Sequence, residues 1–212
     1  MLKAVIMDFD GVIIDTELSW HTVTVKWFKD NHNYDLPMAE FGLSIGSSEK
    51  ILFDFLEKER GIVVDRQQFY EDCVPQVKAL DSSIPAKEGI PAFIVSVKAA
   101  GLGLALATSS DDNHAHSHLK RLGLFDYFDH IVTKDQVKAV KPAPDLFLLA
   151  LEKLGVAADE AIIIEDSVNG LRAGMAAGIR VINIPNGVTD TLDFTGCHQK
   201  LSHIHEVNLS KL

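Results

Sequence analysis

Residues 3–7, KAVIM, form a short apolar run that ends without a break in the acidic turn Asp8-Phe9-Asp10-Gly11. Few contexts suit such a junction, because the buried run must deliver two carboxylates directly at its end. The design recurs along the chain. Further strand-like runs occupy residues 103–107, 130–132, 161–164 and 180–184, and helical patterns occupy residues 91–100, 113–122, 145–154 and 167–177. Gly101, Gly123, Gly155 and Gly178 stand where these helices should stop, and glycine readily takes the left-handed conformation that closes a helix. Strands alternating with helices of about ten residues imply an α/β fold of the Rossmann-like, doubly wound parallel type.

Residues 16–85 break this rhythm. They carry helical periodicity over residues 18–31, 49–60 and 66–80, with no convincing strand, and glycine- or proline-bearing junctions bracket them near residues 11–16 and 84–89. The economical reading is an all-helical insert in the first strand-to-helix crossover. The expected organisation is therefore an α/β core from residues 1–15 and 86–212, with the insert spanning residues 16–85.

A chain of 212 residues, 47% apolar and 24% charged, has enough apolar material for one domain with a smaller insert. No stretch approaches the roughly 20 apolar residues that cross a bilayer. The 30 acidic and 20 basic residues give a formal net charge of −10. That field repels nucleic acid and anionic membrane, and neither is an expected partner. Met1-Leu2-Lys3 leads at once into the first run and leaves no room for a signal peptide. Cys73 and Cys197 match no metal spacing, and a reducing cytoplasm fits them better than a disulfide. A monomer is the default expectation.

Ligands of an open parallel sheet bind at the carboxyl ends of its strands. There the first run delivers Asp8 and Asp10, the second Thr108 and Ser109, and the fourth Glu165 and Asp166, while a loop before residue 145 carries Lys141-Pro142. Four acids in a partly dry cleft require a neutralising cation. All-oxygen ligation favours a hard ion, magnesium where phosphate is also bound. A metal at Asp8 and Asp166 would leave Asp8 placed as a carboxylate nucleophile, with Asp10 near the departing oxygen as general acid and base. Thr108 and the amides of Ser109 and Ser110, at a helix N-terminus, suit a phosphate, and Lys141 supplies positive charge.

Asp8-Phe9-Asp10-Gly11-Val12, Thr108-Ser109, Lys141-Pro142-Ala143-Pro144-Asp145 and Glu165-Asp166-Ser167 with Gly170 together resemble the motif set of the haloacid dehalogenase superfamily. The likeness is to its β-phosphoglucomutase-like branch, whose members are mostly phosphatases with a helical cap inserted after the first motif. The resemblance implies a Mg2+-dependent phosphatase of a small phosphorylated metabolite, working through an aspartyl-phosphate at Asp8. It assigns Asp8 and Asp10 to catalysis and Thr108, Ser109 and Lys141 to the phosphoryl group. It assigns the metal to Asp8, Asp10 through its carbonyl, and Asp166, with Glu165 in or beside the shell. Residues 16–85 become a mobile cap, in which Trp20, His21 and the turn Ile45-Gly46-Ser47-Ser48-Glu49-Lys50 are candidates for substrate recognition.

Plainer roles compete. Asp8 and Asp10 are also turn formers, Glu165-Asp166 and the Thr108–Asp111 segment also suit helix caps, and Lys141 also suits a surface loop. His114 and His118 have metal-ligand spacing on a helix, but no third ligand accompanies them, so a surface helix is the expectation. Trp27, Phe28, Phe53 and Phe55 read as packing of the insert. The main rival function is a sugar-phosphate mutase. Trp20 stands where that branch places a histidine, and Glu49 where an arginine would grip a phosphate, and both departures count against it. A non-catalytic binding protein on the same fold is a further alternative.

Overall fold

The computed structural model describes every residue from Met1 to Leu212 except Gly46, Ser47, Val188 and Thr191. Strand β1 (Ala4–Met7) lies inside a six-stranded parallel sheet with β2 (Gly103–Ala107), β3 (His130–Val132), β4 (Ala161–Glu165), β5 (Arg180–Asn183) and β6 (Gln199–Lys200). The order is β3-β2-β1-β4-β5-β6, with Ile6 in register with Ala105 on one side and Ile163 on the other. The order reverses direction between β1 and β4, and a crevice opens at such a point beyond the strand ends.

Side-chain alternation explains why the strand sequences are apolar throughout. Val5 and Met7 pack into one core with Ile94 and Val97 of α5 (Ile90–Ala99) and Leu119 of α6 (Asp112–Arg121). Ala4 and Ile6 face the opposite core, with Phe147 of α7 (Asp145–Leu154) and Leu171 of α8 (Val168–Ala176). A sheet covered on both faces needs apolar residues at every position. Gly101, Gly123, Gly155 and Gly178 all take positive φ, as the helix stops require.

Between β1 and α5 the described residues form four helices: α1 (Glu17–His32), α2 (Met38–Phe41), α3 (Lys50–Arg60) and α4 (Arg66–Asp81). They close around their own core, in which Trp27, Phe28, Phe53 and Leu56 surround Phe69. The Phe69 ring meets Trp27 edge-on at 5.1 Å and Phe53 at 5.0 Å. Phe55 lies at the edge of this core with the Arg60 guanidinium over its ring. From the α/β side, Asn169 of α8 donates to the carbonyls of Leu43 at 3.2 Å and Ile45 at 2.8 Å. No helix among the described residues is long and apolar enough to cross a membrane.

Candidate active site

The ends of β1 and β4 are adjacent because the two strands pair directly, and the pairing continues past β1, where Asp8 N donates to Ile164 O at 3.0 Å. Asp8, Glu165 and Asp166 are all buried there. Two glycines make the convergence possible. Gly11, at φ +81°, lies so close to Asp166 that an added Cβ would come within 2.0 Å of its Oδ2. A Cβ at Gly170 would come within 1.7 Å of Glu165 Oε1. Both positions exclude any side chain because a carboxylate already fills the space.

Lys141, wholly buried, joins two of the acids: its Nζ is 2.7 Å from Asp8 Oδ1 and 2.7 Å from Glu165 Oε1. The Lys141-Pro142 peptide is cis. The other Glu165 oxygen accepts from Asp166 N and Ser167 N, both at 2.8 Å, and from Ser167 Oγ at 3.0 Å. Glu165 is thus fully committed to holding Lys141 and the turn before α8. Burial, then the neighbouring Glu165, push the Asp8 and Asp166 carboxyls well above the usual range. Burial opposes the Lys141 charge, but Asp8 and Glu165 outweigh it and hold the ammonium above the usual lysine range. Among the described residues Lys141 is the one cation in contact with these three buried acids, which leaves the cluster short of positive charge.

A metal ion fits that shortfall. Ligand oxygens of Asp8, Glu165 and Asp166 lie within 4.8 Å of one another. Asp166 Oδ2 accepts from Asn186 Nδ2 at 2.7 Å, whereas its Oδ1 is buried with no hydrogen-bond partner among the described residues. An orphaned carboxylate oxygen in an all-oxygen cluster is the donor chemistry of a hard divalent cation.

Asp10 is less enclosed and differently held. Its Oδ1 accepts from Thr16 Oγ1 at 2.6 Å and lies 2.9 Å from His114 Nε2, and its Oδ2 accepts from Ser110 Oγ at 2.7 Å. Burial opposes its ionisation, yet the charge and hydrogen bond of His114, with those of Ser110 and Thr16, hold it well below the usual carboxylate range. Thr108 is buried beside it, its Oγ1 accepting from Ser110 N at 3.0 Å, and Ser109 lines the same cavity. Asp111 caps α6 by accepting from His114 N at 2.9 Å.

The sequence-predicted residues Asp8, Asp10, Thr108, Ser109, Lys141, Glu165 and Asp166 therefore meet at one sheet edge. Thr16, His114 and Asn186 hold the site's carboxylates and were not foreseen. His114 turns inward from α6 to Asp10, which corrects the reading of that histidine as part of a surface helix. The signal available was its place at the third residue past the Asp111 cap, in the first turn after the Thr108–Ser110 loop. Asn186 follows β5 on the same edge and was findable by the strand-end rule. Glu17, in the first turn of α1, lines the same cavity and was not foreseen either. Of the helical-unit candidates, Trp20 and Glu49 line the cavity above Asp8 and Asp10. His21 instead packs against the edge of Phe41 at 5.0 Å. Gly46 and Ser47 lie outside the described residues.

Comparison with known proteins agrees with this arrangement. YhcW of Bacillus subtilis, whose name marks it as a candidate phosphatase, is 38% identical over 100% of this chain and 96% of its own length. The phosphorylated carbohydrates phosphatase of Thermotoga maritima is 31% identical over 89% of this chain and 88% of its own. Crystal structures of CbbY from Rhodobacter sphaeroides, one with phosphate and one, of a mutant, with xylulose-(1,5)bisphosphate, superpose with a TM-score of 0.78 at 28% identity, covering 95% of this chain and 94% of that one. The family model for haloacid dehalogenase-like hydrolases matches residues 5–184, a span that takes in every acid, the lysine and both close-approach glycines of the cluster. On that match and that geometry, the chain belongs to the haloacid dehalogenase-like hydrolase family.

Proposed function

We propose that this chain is a magnesium-dependent phosphatase of a small phosphorylated metabolite, acting through an aspartyl-phosphate on Asp8. The observation that carries the reading is the division of labour between the two aspartates. Asp8 is buried on Lys141 and faces the cavity floor, while Asp10, two residues on, is held ionised beside an imidazole. In the first half of the reaction an Asp8 oxygen bonds to phosphorus, the ester P–O bond breaks, and the leaving oxygen takes a proton from the Asp10–His114 pair. In the second half Asp10, ionised again, takes a proton from the water that attacks phosphorus. The P–O bond to Asp8 then breaks and releases orthophosphate. Lys141 balances charge on Asp8 and the transferred group throughout, while Thr108, Ser109 and the α6 N-terminus hold the phosphoryl oxygens.

Asp8, the Asp10 carbonyl and Asp166 are the residues that would hold Mg2+, with Glu165 beside them as the acid that fixes Lys141. The ion, when bound, supplies charge that screens the approach of one anion to another. Residues 16–85 serve as a cap that excludes bulk water from the cavity.

The test is phosphate release from a panel of phosphorylated metabolites with and without magnesium, with Asp8→Asn run beside the wild type. Release that requires magnesium and disappears in the variant is the expected result. Release that persists in Asp8→Asn removes Asp8 as the nucleophile.

A further inference from the structure

We infer that Asn186 is a positioning residue for the cation. By engaging one oxygen of Asp166 it makes the site favour a small divalent ion, magnesium, over a larger one such as calcium. The inference rests on the reading of Asp166 as a metal ligand and goes beyond it, to the residue that decides how the carboxylate is offered. Asp166 stands just past β4 and is wholly buried. Its two oxygens are treated differently. Oδ2 accepts from Asn186 Nδ2 at 2.7 Å, and Oδ1 has no hydrogen-bond partner among the described residues. A buried carboxylate oxygen left bare is costly, so the bare one is the oxygen placed to meet an ion. Gly11, with no side chain, gives the carboxyl its space but no direction. The direction comes from Asn186.

Asn186 is itself held so that its amide nitrogen faces Asp166. It follows β5 after Pro185 and is buried, as is Thr189 three residues on. Its backbone N donates to Thr189 Oγ1 at 2.9 Å, and its Oδ1 accepts from Thr189 N at 3.1 Å and from Thr189 Oγ1 at 3.3 Å. Turning the amide over would set Asn186 Oδ1 against a carboxylate oxygen and its NH2 against the Thr189 N–H, losing contacts at both ends. The donor is neutral as well as aimed. A lysine or arginine there would place a fixed charge beside the ion, and an ionised aspartate could not donate. A carboxylate with one oxygen already engaged offers the ion a single oxygen. Magnesium, small and bound in a near-octahedral array, is suited by single oxygens, whereas calcium takes about six to eight and gains from both oxygens of one carboxylate.

The experiment is calorimetric titration of the chelator-stripped full chain with magnesium and with calcium, wild type beside Asn186→Leu and Thr189→Val. Asn186→Leu keeps the bulk and removes the donor. Its magnesium affinity is expected to fall by about tenfold to a hundredfold, the usual effect of losing a partner that orients a metal ligand. Its calcium affinity is expected to fall by less than about threefold, because the freed Oδ2 compensates the larger ion. The ratio of the two dissociation constants therefore moves toward calcium by at least about threefold. Thr189→Val leaves the amide but loosens its aim, and is expected to move the ratio the same way by less. It decides the matter alone if Asn186→Leu does not fold. A residue that only supported the fold would weaken both ions alike. An unchanged ratio in a protein that binds magnesium thus overturns the inference and leaves the metal site standing. A wild type that binds neither ion would remove the metal from Asp166, and the inference with it.

Discussion

His114 Nε2 sits 2.9 Å from Asp10 Oδ1, so the carboxylate proposed to serve the leaving group shares its proton with an imidazole from another helix. Burial lowers the proton affinity of His114, but Asp10, then Asp81 and Asp111, raise it above its ordinary value. Both shifts favour the state with the proton on the histidine and Asp10 ionised. That state suits attack by water in the second half-reaction but leaves protonation of the leaving oxygen dependent on His114. His114→Ala is therefore expected to lower kcat for an alkyl phosphate by about tenfold to a hundredfold, the worth of a charge-assisted hydrogen bond. For p-nitrophenyl phosphate, whose leaving group needs no proton, kcat should stay nearly unchanged. Steady-state kinetics with both esters, and partial rescue in His114→Gln, check the claim. An equal loss on both substrates would make the histidine structural.

Lys141 is the second case in which one contact sets an expectation. Its ammonium is buried between Asp8 and Glu165 at 2.7 Å from each. Removing one partner of a buried ion pair leaves an uncompensated charge and typically costs about 3–5 kcal/mol. Lys141→Met should lose phosphatase activity and, as the metal-free protein, unfold at markedly lower denaturant. Chemical denaturation of the two proteins in chelator measures the difference, and a variant as stable as the wild type would show that the acids are already neutral.

What the sequence made legible, and what it hid, follows from burial. Strands β1 to β5 were readable because both faces of the sheet are covered, so residues such as those of AIII at 161–164 are apolar without alternation. The acids were readable because they stand at strand ends. β6 was missed: Gln199 and Lys200 are exposed on the sheet edge and carry no apolar pattern. α2 was missed because four residues after Pro37 are too few to show a period. Residues such as His114 and Glu17 were hidden for a different reason. They reach the site from separate elements, and only the packing of α1 and α6 against the β1 turn tells which way they face.

Gly11 and Asp166 are in such close approach that a methyl group at residue 11 would displace the carboxylate proposed to bind magnesium. Gly11→Ala also forces a positive φ on a residue with a side chain, at a further cost of about 1–3 kcal/mol. Titration calorimetry should show weaker magnesium binding with activity lost in parallel. Unaltered affinity would mean that Asp166 is not a ligand.

The two cysteines should differ sharply in reactivity. Cys73 is buried in the helical core, and burial, then Asp72 and Glu49, push its thiol up to about 12. Cys197 is part-exposed, and neither is bonded to the other. A thiolate-specific reagent should therefore modify Cys197 in the native protein and reach Cys73 only on unfolding. Mass spectrometry of the native and denatured reactions distinguishes the sites.

Asn169 offers the last test, of whether the helical unit is held as a working cap. Its amide, buried on α8, donates to two carbonyls just past α2, those of Leu43 and Ile45. These bonds cross from the α/β core to the four-helix unit, and the same face carries Leu43 and Leu192 around Asn169. Replacement by alanine removes both donors and leaves two carbonyls to find water, a loss of about 1–3 kcal/mol concentrated at the junction. Neither core is touched, so the expected effect is on closure rather than folding. Amide exchange should quicken at α2 and around Leu43, with the midpoint of global unfolding little changed. If the unit excludes water during turnover, Asn169→Ala should also lower kcat/KM for a metabolite that fills the chamber more than for inorganic phosphate exchange with water, which needs no contact with Glu17 or Trp20. Unchanged exchange at α2 would show that other contacts hold the unit closed.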